Sequence, residues 1–203
     1  MPNQRLNYLN IVVDLFRQAN LKAILPLNFL NPLKLILEGP LYQQLKNDNH
    51  IVGIVDCYHQ YYTFPNWEYT PILEQRKAIA RADNEYVGKI ENFQFLENAF
   101  KEFAPDRVIH VATYPNAKMV KRNVADATNN MVTATAYVLD LCVKYKVQKI
   151  TFASSSMVYG DFKDQIPDET VVPKPNTLYG SYKRQGELMC KIWHREHGLD
   201  YVI

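Results

Sequence analysis

Glycine is scarce in this chain, with seven residues among 203. None builds a Gly-x-x-Gly-x-x-Gly turn, whose missing side chains let a phosphate reach backbone amides at a helix N-terminus. Cysteine is scarcer. Cys57, Cys142 and Cys190 are odd in number, far apart and never in a Cys-x-x-Cys pair, which argues against a disulfide framework or a zinc site. They read as reduced, buried thiols of a protein in the cytoplasm or another reducing compartment, with an organelle leader left open. Charge of one sign is lacking too. The net charge is +2 with both signs scattered, which offers neither nucleic acid nor a membrane surface a basic stripe. No apolar run approaches the roughly 18 residues needed to span a bilayer. The apolar N-terminus is interrupted by Asn, Arg, Asp, Gln, Lys and Pro, so it lacks the unbroken centre of a signal peptide.

What is present is a globular composition, 47% hydrophobic and 22% charged, enough for one sizeable core. The apolar pattern predicts helices over 7–18, 33–46, 71–81, 92–103, 125–145 and 177–197. It predicts strands over 21–28, 50–56, 85–90, 106–113, 147–155 and 199–203. Asn92 is a candidate helix N-cap. Strands that alternate with helices and are apolar almost throughout imply an α/β fold: three layers around a mainly parallel, doubly wound sheet. Residues 1–20 form a helical extension, and residues 21–203 the Rossmann-like domain. Ligands of such sheets sit beyond the carboxyl ends of the strands. Those ends carry Asp56, His110-Val-Ala-Thr113 and Ala153-Ser-Ser-Ser156.

Tyr179 and Lys183 stand four apart at the start of the last helix, on one face. A nearby ammonium favours a phenolate. The same spacing occurs at Tyr42/Lys46, Tyr114/Lys118, Tyr145/Lys149 and Tyr159/Lys163, so the surroundings must decide. Pro115 interrupts the second of these pairs, a helix end separates the third, and Gly160 lies in the fourth. Tyr42/Lys46 reads as a surface pair. Tyr179/Lys183 alone opens a helix after a proline-rich loop that follows three strand-end serines.

The runs "KITFASSSMVYGD", "PDE" and "PKPNTLYGSYKRQGELM…HGLDYVI" resemble the extended short-chain dehydrogenase/reductase family, within it the NAD-dependent sugar-nucleotide epimerases and dehydratases. "GKIENFQFLENAFKEFAPDRVIHVAT" and "NNMVTATAYVLDLCVKYKV" extend the resemblance over residues 50–203, in order. It implies Tyr179 as acid–base residue, Lys183 as the group that lowers its pKa and holds the nicotinamide ribose, and Ser155 as hydrogen-bond partner of the reacting hydroxyl. It implies NAD contacts from Asp56, Ala112, Thr113, Ser154 and Lys183, and nucleotide-sugar contacts from Ser156 and Asn130. For Ser155, satisfying a backbone group is the competing reading. For Asp56 it is a loop acid or helix cap. His110 reads as structural.

Three departures stand out. "LKAILPLNFLNPLKLILEGPLYQQL" replaces the glycine-rich turn, with Phe29 and Leu30 where phosphates would lie. Lys89 stands where the family has an aspartate. The family's C-terminal substrate domain has no counterpart before Ile203. Two functions therefore compete: an epimerase resembling UDP-glucose 4-epimerase, or a piece of one; and a non-catalytic subunit of a larger assembly. A homodimer through helices 125–145 and 177–197 is the expected association. An NADPH reductase ranks last, because only His59 follows the second strand as a basic group.

Overall fold

A computed structural model describes residues 22–26, 35–59, 70, 71, 73, 74, 78, 83–161 and 169–203. The expected helix over 7–18 and the turn holding Phe29 and Leu30 lie outside the described residues. So does most of the expected helix over 71–81, though its described residues Pro71, Leu73, Glu74 and Ala78 are helical.

Six strands form one sheet: β1 (Lys22–Pro26), β2 (Ile51–Asp56), β3 (Asn84–Val87), β4 (Arg107–His110), β5 (Lys149–Phe152) and β6 (Asp200–Val202). Their spatial order is β3-β2-β1-β4-β5-β6, with every pairing parallel. The chain runs outward from β1 to β3, returns to the other side of β1, and runs outward again. Strand order reverses at β1, the position where such sheets open a crevice, here between β1 and β4. Register follows from apolar content. In β2 every residue after Ile51 is buried, so the strand is covered on both faces.

The helices are α1 (Leu35–Asn47), α2 (Phe93–Phe103), α3 (Ala117–Arg122), α4 (Val124–Thr128), α5 (Ala134–Lys144) and α6 (Leu178–His197). Asn92 caps α2 as expected, accepting the Phe95 amide hydrogen at 3.1 Å. Thr177 caps α6 through the Gly180 amide at 3.1 Å, and Gly198 ends it at φ 71°. Leu96, Phe100 and Phe103 of α2 pack with Val138, Leu139 and Cys142 of α5, and with Ile150 and Phe152 of β5, in the main core. Cys142 and Cys190 are buried free thiols there, and Cys57 is half-buried.

The segment expected as one helix over 125–145 is longer and broken. α3 begins at Ala117 because the Asn116 side chain accepts the Met119 amide hydrogen at 3.1 Å. Asn123, at φ −140° and ψ 75°, ends α3 and caps α4. A π turn over Asn129–Thr133 then links α4 to α5. Such turns hold one residue too many for an α-helix and concentrate at functional sites. The strands end earlier than expected: β4 at His110 and β5 at Phe152 leave residues 111–113 and 153–155 as irregular extensions at the sheet's rim.

Gly186 brings α6 against β5. A Cβ built there would stand 2.3 Å from the Phe152 ring. Gly186→Ala should therefore cost about 1–3 kcal/mol through overpacking. The urea midpoint should fall with an unchanged slope; an unaltered midpoint would contradict this close packing.

Candidate functional site

Tyr179, Lys183 and Glu187 recur every four residues on α6, so they form one stripe. All three are buried, at 9%, 4% and 7% exposure. The stripe faces the irregular run after β5. A 3-10 turn over Ser156–Tyr159 follows that run, and Ser155 is its cap. The Ser155 hydroxyl accepts the Met157 amide hydrogen at 3.3 Å. It also hydrogen-bonds the Tyr179 phenol. The reading of Ser155 as satisfying a backbone group thus holds, and the same side chain meets the tyrosine.

Lys183 donates to the Ala153 carbonyl at 2.6 Å. Its ammonium lies 5.1 Å from the centroid of the Phe152 ring, within cation–π range. The expectation that this ammonium makes Tyr179 unusually acidic does not hold for the protein as it stands. Burial pushes the Tyr179 phenol above its ordinary value, against a smaller downward pull from Ser155. Desolvation penalises the phenolate more than the surroundings stabilise it. The resting residue is a protonated phenol.

The other expected residues lie as follows. Asp56 closes β2 at 2% exposure and accepts the Tyr58 amide hydrogen at 2.7 Å, the bond of a loop-forming acid. Ala112 and Thr113 are buried beyond β4. Ser156 is exposed. Ser154, expected against a cofactor, donates its hydroxyl hydrogen to Glu187. Asn130 lies in the π turn, and its side-chain amide donates to Glu91 at 2.9 Å. Its Oδ1 is buried with no hydrogen-bond partner among the described residues. His110 proves structural: its Nε2 lies 3.0 Å from the Thr135 hydroxyl, which itself donates to the Met131 carbonyl. The hydroxyl proton being used, Nε2 carries the hydrogen. Lys89 is exposed.

Members of two of the competing tyrosine–lysine pairs are otherwise engaged. Tyr42 is buried, not on the surface as expected, while Lys46 pairs with Asp83 at 2.6 Å. Tyr114 donates to Asp126, and burial plus that carboxylate push its pKa up. Tyr114 shares a small apolar cluster with Val120, Ala127, Met131 and Tyr179. Sequence reasoning missed Glu187, Glu91 and Asp126. Only Glu187 carried a local signal, its place four residues after Lys183. Among the described residues no group of three or more His, Cys, Asp or Glu could hold a metal. No described helix is long and apolar enough to cross a membrane.

Comparison with known proteins gives the family and the fold. The sequence model of the NAD dependent epimerase/dehydratase family matches residues 50–203. The chain is 28% identical to the UDP-glucuronate 4-epimerase of Thermodesulfobacterium geofontis over 118 residues, 58% of this chain and 36% of that protein. It is 28% identical to the dTDP-D-glucose 4,6-dehydratase of Dictyostelium discoideum over 129 residues, 58% of this chain and 30% of that protein. The chain thus spans under half the length of these curated relatives. Among solved structures, the Thermotoga maritima UDP-glucose 4-epimerase with UDP-glucose superposes with a TM-score of 0.71 at 22% identity, over 89% of this chain and 53% of that one. The Bacillus cereus UDP-glucuronic acid 4-epimerase, in complex with UDP-glucuronic acid and NAD, gives 0.71 at 24% identity, over 90% and 55%. At these identities the likeness shows the fold.

The raised Tyr179 pKa has a direct readout. A group whose folded pKa lies above its unfolded one keeps its full contribution to stability below the unfolded pKa, near ~10 for a phenol. It loses that contribution as pH rises through the folded pKa. Ultraviolet titration of the cofactor-free protein and of Tyr179→Phe should therefore give equal phenolate content up to about pH 9. One extra phenolate in the parent at pH 8 would contradict the assignment.

Proposed function

The chain belongs to the NAD-dependent epimerase/dehydratase family, and from that premise we propose that it carries the dinucleotide-binding and catalytic part of a nucleotide-sugar epimerase. The observation that supports this most is the buried phenol of Tyr179, hydrogen-bonded to Ser155 on the stripe that holds the Lys183 ammonium. Inverting a carbinol carbon requires that the hydroxyl proton and the carbon-bound hydride leave and return. NAD, when bound, supplies the hydride acceptor.

The residues fit the nicotinamide half of that cofactor. Lys183 offers a cation beside the rim, while Asn130, expected at the nucleotide sugar, offers that substrate an amide oxygen without a partner among the described residues. At the adenosine end, Asp56 is the acceptor for ribose hydroxyls, its carboxylate already shaping the loop after β2. Tyr179 takes the sugar hydroxyl proton at Oη, and Ser155 orients that hydroxyl. Burial keeps the resting phenol protonated, so added positive charge near it is what turns Tyr179 into a base. Ser156 and Met157 follow Ser155 without a carboxylate, which favours epimerisation over dehydration, since loss of water needs a further acid and base. A nucleotide sugar is the substrate class, and a dimer through residues 125–145 and 177–197 belongs to the same reading.

Two measurements test it. NAD at a hundredfold excess over its dissociation constant should stabilise the fold by about 2.7 kcal/mol, seen as a rise in melting temperature. The protein should interconvert UDP-glucose and UDP-galactose, and Tyr179→Phe should lower turnover by roughly 10²–10⁴-fold while retaining the NAD shift. No shift at millimolar NAD would overturn the enzymatic reading in favour of a non-catalytic structural subunit.

A further inference from the structure

Beyond β5 the chain leaves the regular ladder. The Ala153 amide still bonds the His110 carbonyl at 3.1 Å, and the Val158 amide bonds the Ser155 carbonyl at 3.1 Å inside the 3-10 turn. Ser154 lies between these two anchors. Its hydroxyl donates to Oε1 of Glu187, whose Oε2 accepts from Nη1 of Arg184 at 2.7 Å. Glu187 is 7% exposed, so both oxygens need partners to offset lost hydration. An exposed i,i+3 pair with Arg184 would contribute little; the burial and the bond to Ser154 set Glu187 apart from that case.

Three consecutive residues thus meet three successive turns of α6. Lys183 takes the Ala153 carbonyl, Glu187 takes the Ser154 hydroxyl, and Tyr179 meets the Ser155 hydroxyl. The Ala153 carbonyl and the Ser155 hydroxyl flank Ser154, so a shift of Ser154 moves both. We propose that Glu187 is a positioning residue of this site: by holding Ser154 it sets residues 153–155 against α6, and so delivers Ser155 to Tyr179 and a carbonyl to Lys183. The inference deepens the epimerase reading, but its geometry does not require a bound cofactor.

The test uses protein labelled with ¹³C at the tyrosine ζ carbon, with the Tyr179 resonance assigned by its loss in Tyr179→Phe. Ser155→Ala defines the position the resonance takes without its hydroxyl partner. Ser154→Ala and Glu187→Ala should move the resonance towards that position, while Ser154→Thr, which keeps the hydroxyl, should hold it at the parental value. In the turnover assay Ser154→Ala should lower kcat, up to about 10²-fold for a displacement near 1 Å, with KM unchanged. A parental Tyr179 resonance in Ser154→Ala, with only the melting temperature lowered, would overturn the proposal. Should Glu187→Ala fail to fold, Ser154→Ala decides alone, since it removes one oxygen. The resonance needs no NAD, so a protein that binds none still tests the role of Glu187 through it, separately from the epimerase reading.

Discussion

A buried ammonium is the constraint on which the rim of this sheet depends. Lys183 is 4% exposed, and a charge so removed from water must find hydrogen bonds or polarisable surface. It finds both, in the Ala153 carbonyl and the Phe152 face. Each partner sits at the end of β5, so each requires α6 to lie close to that strand. Gly186, one turn after Lys183, has no side chain to hold the helix away. Gly180 does the same at the other end, where a Cβ would stand 2.3 Å from the Met157 carbonyl oxygen. Few as the glycines are, two of them sit where helix and rim must touch.

Two phenols near this rim behave differently. Tyr114 donates its hydrogen to the Asp126 carboxylate, which raises its pKa and ties up its proton. Tyr179 is also raised by burial, but the Ser155 hydroxyl beside it favours the ionised form. Only the second arrangement leaves the phenol free to respond to positive charge. Local electrostatics, rather than the tyrosine–lysine spacing, separates a structural phenol from a candidate base.

The strands and their parallel order were legible because each is a short apolar run bounded by polar residues. α6 was legible as the helix that follows the proline-rich loop and opens with Tyr179 and Lys183. The break at Asn123 and the π turn at Asn129–Thr133 were not, because the apolar period continues across both while the backbone does not. Asn116 and Asn123 carried the signal: each is an asparagine whose side chain accepts from the amide three residues later, the bond of an N-cap. The bond from Ser154 to Glu187 was not legible because adjacent serines look alike in sequence, and only the packing of α6 decides which hydroxyl meets Glu187 and which meets Tyr179.

By itself the sequence determined the class of fold, the order of its elements, and the placing of Tyr179 and Lys183 on one helical face. These depend on periodicities that repeat within four or so residues and survive any packing. Tertiary structure decided which serine touches the phenol, where the Lys183 ammonium lies, and that the resting phenol holds its proton. Those outcomes rest on burial and on contacts between segments some thirty residues apart, and no local pattern records how deeply a hydroxyl or an ammonium will sink beneath the surface.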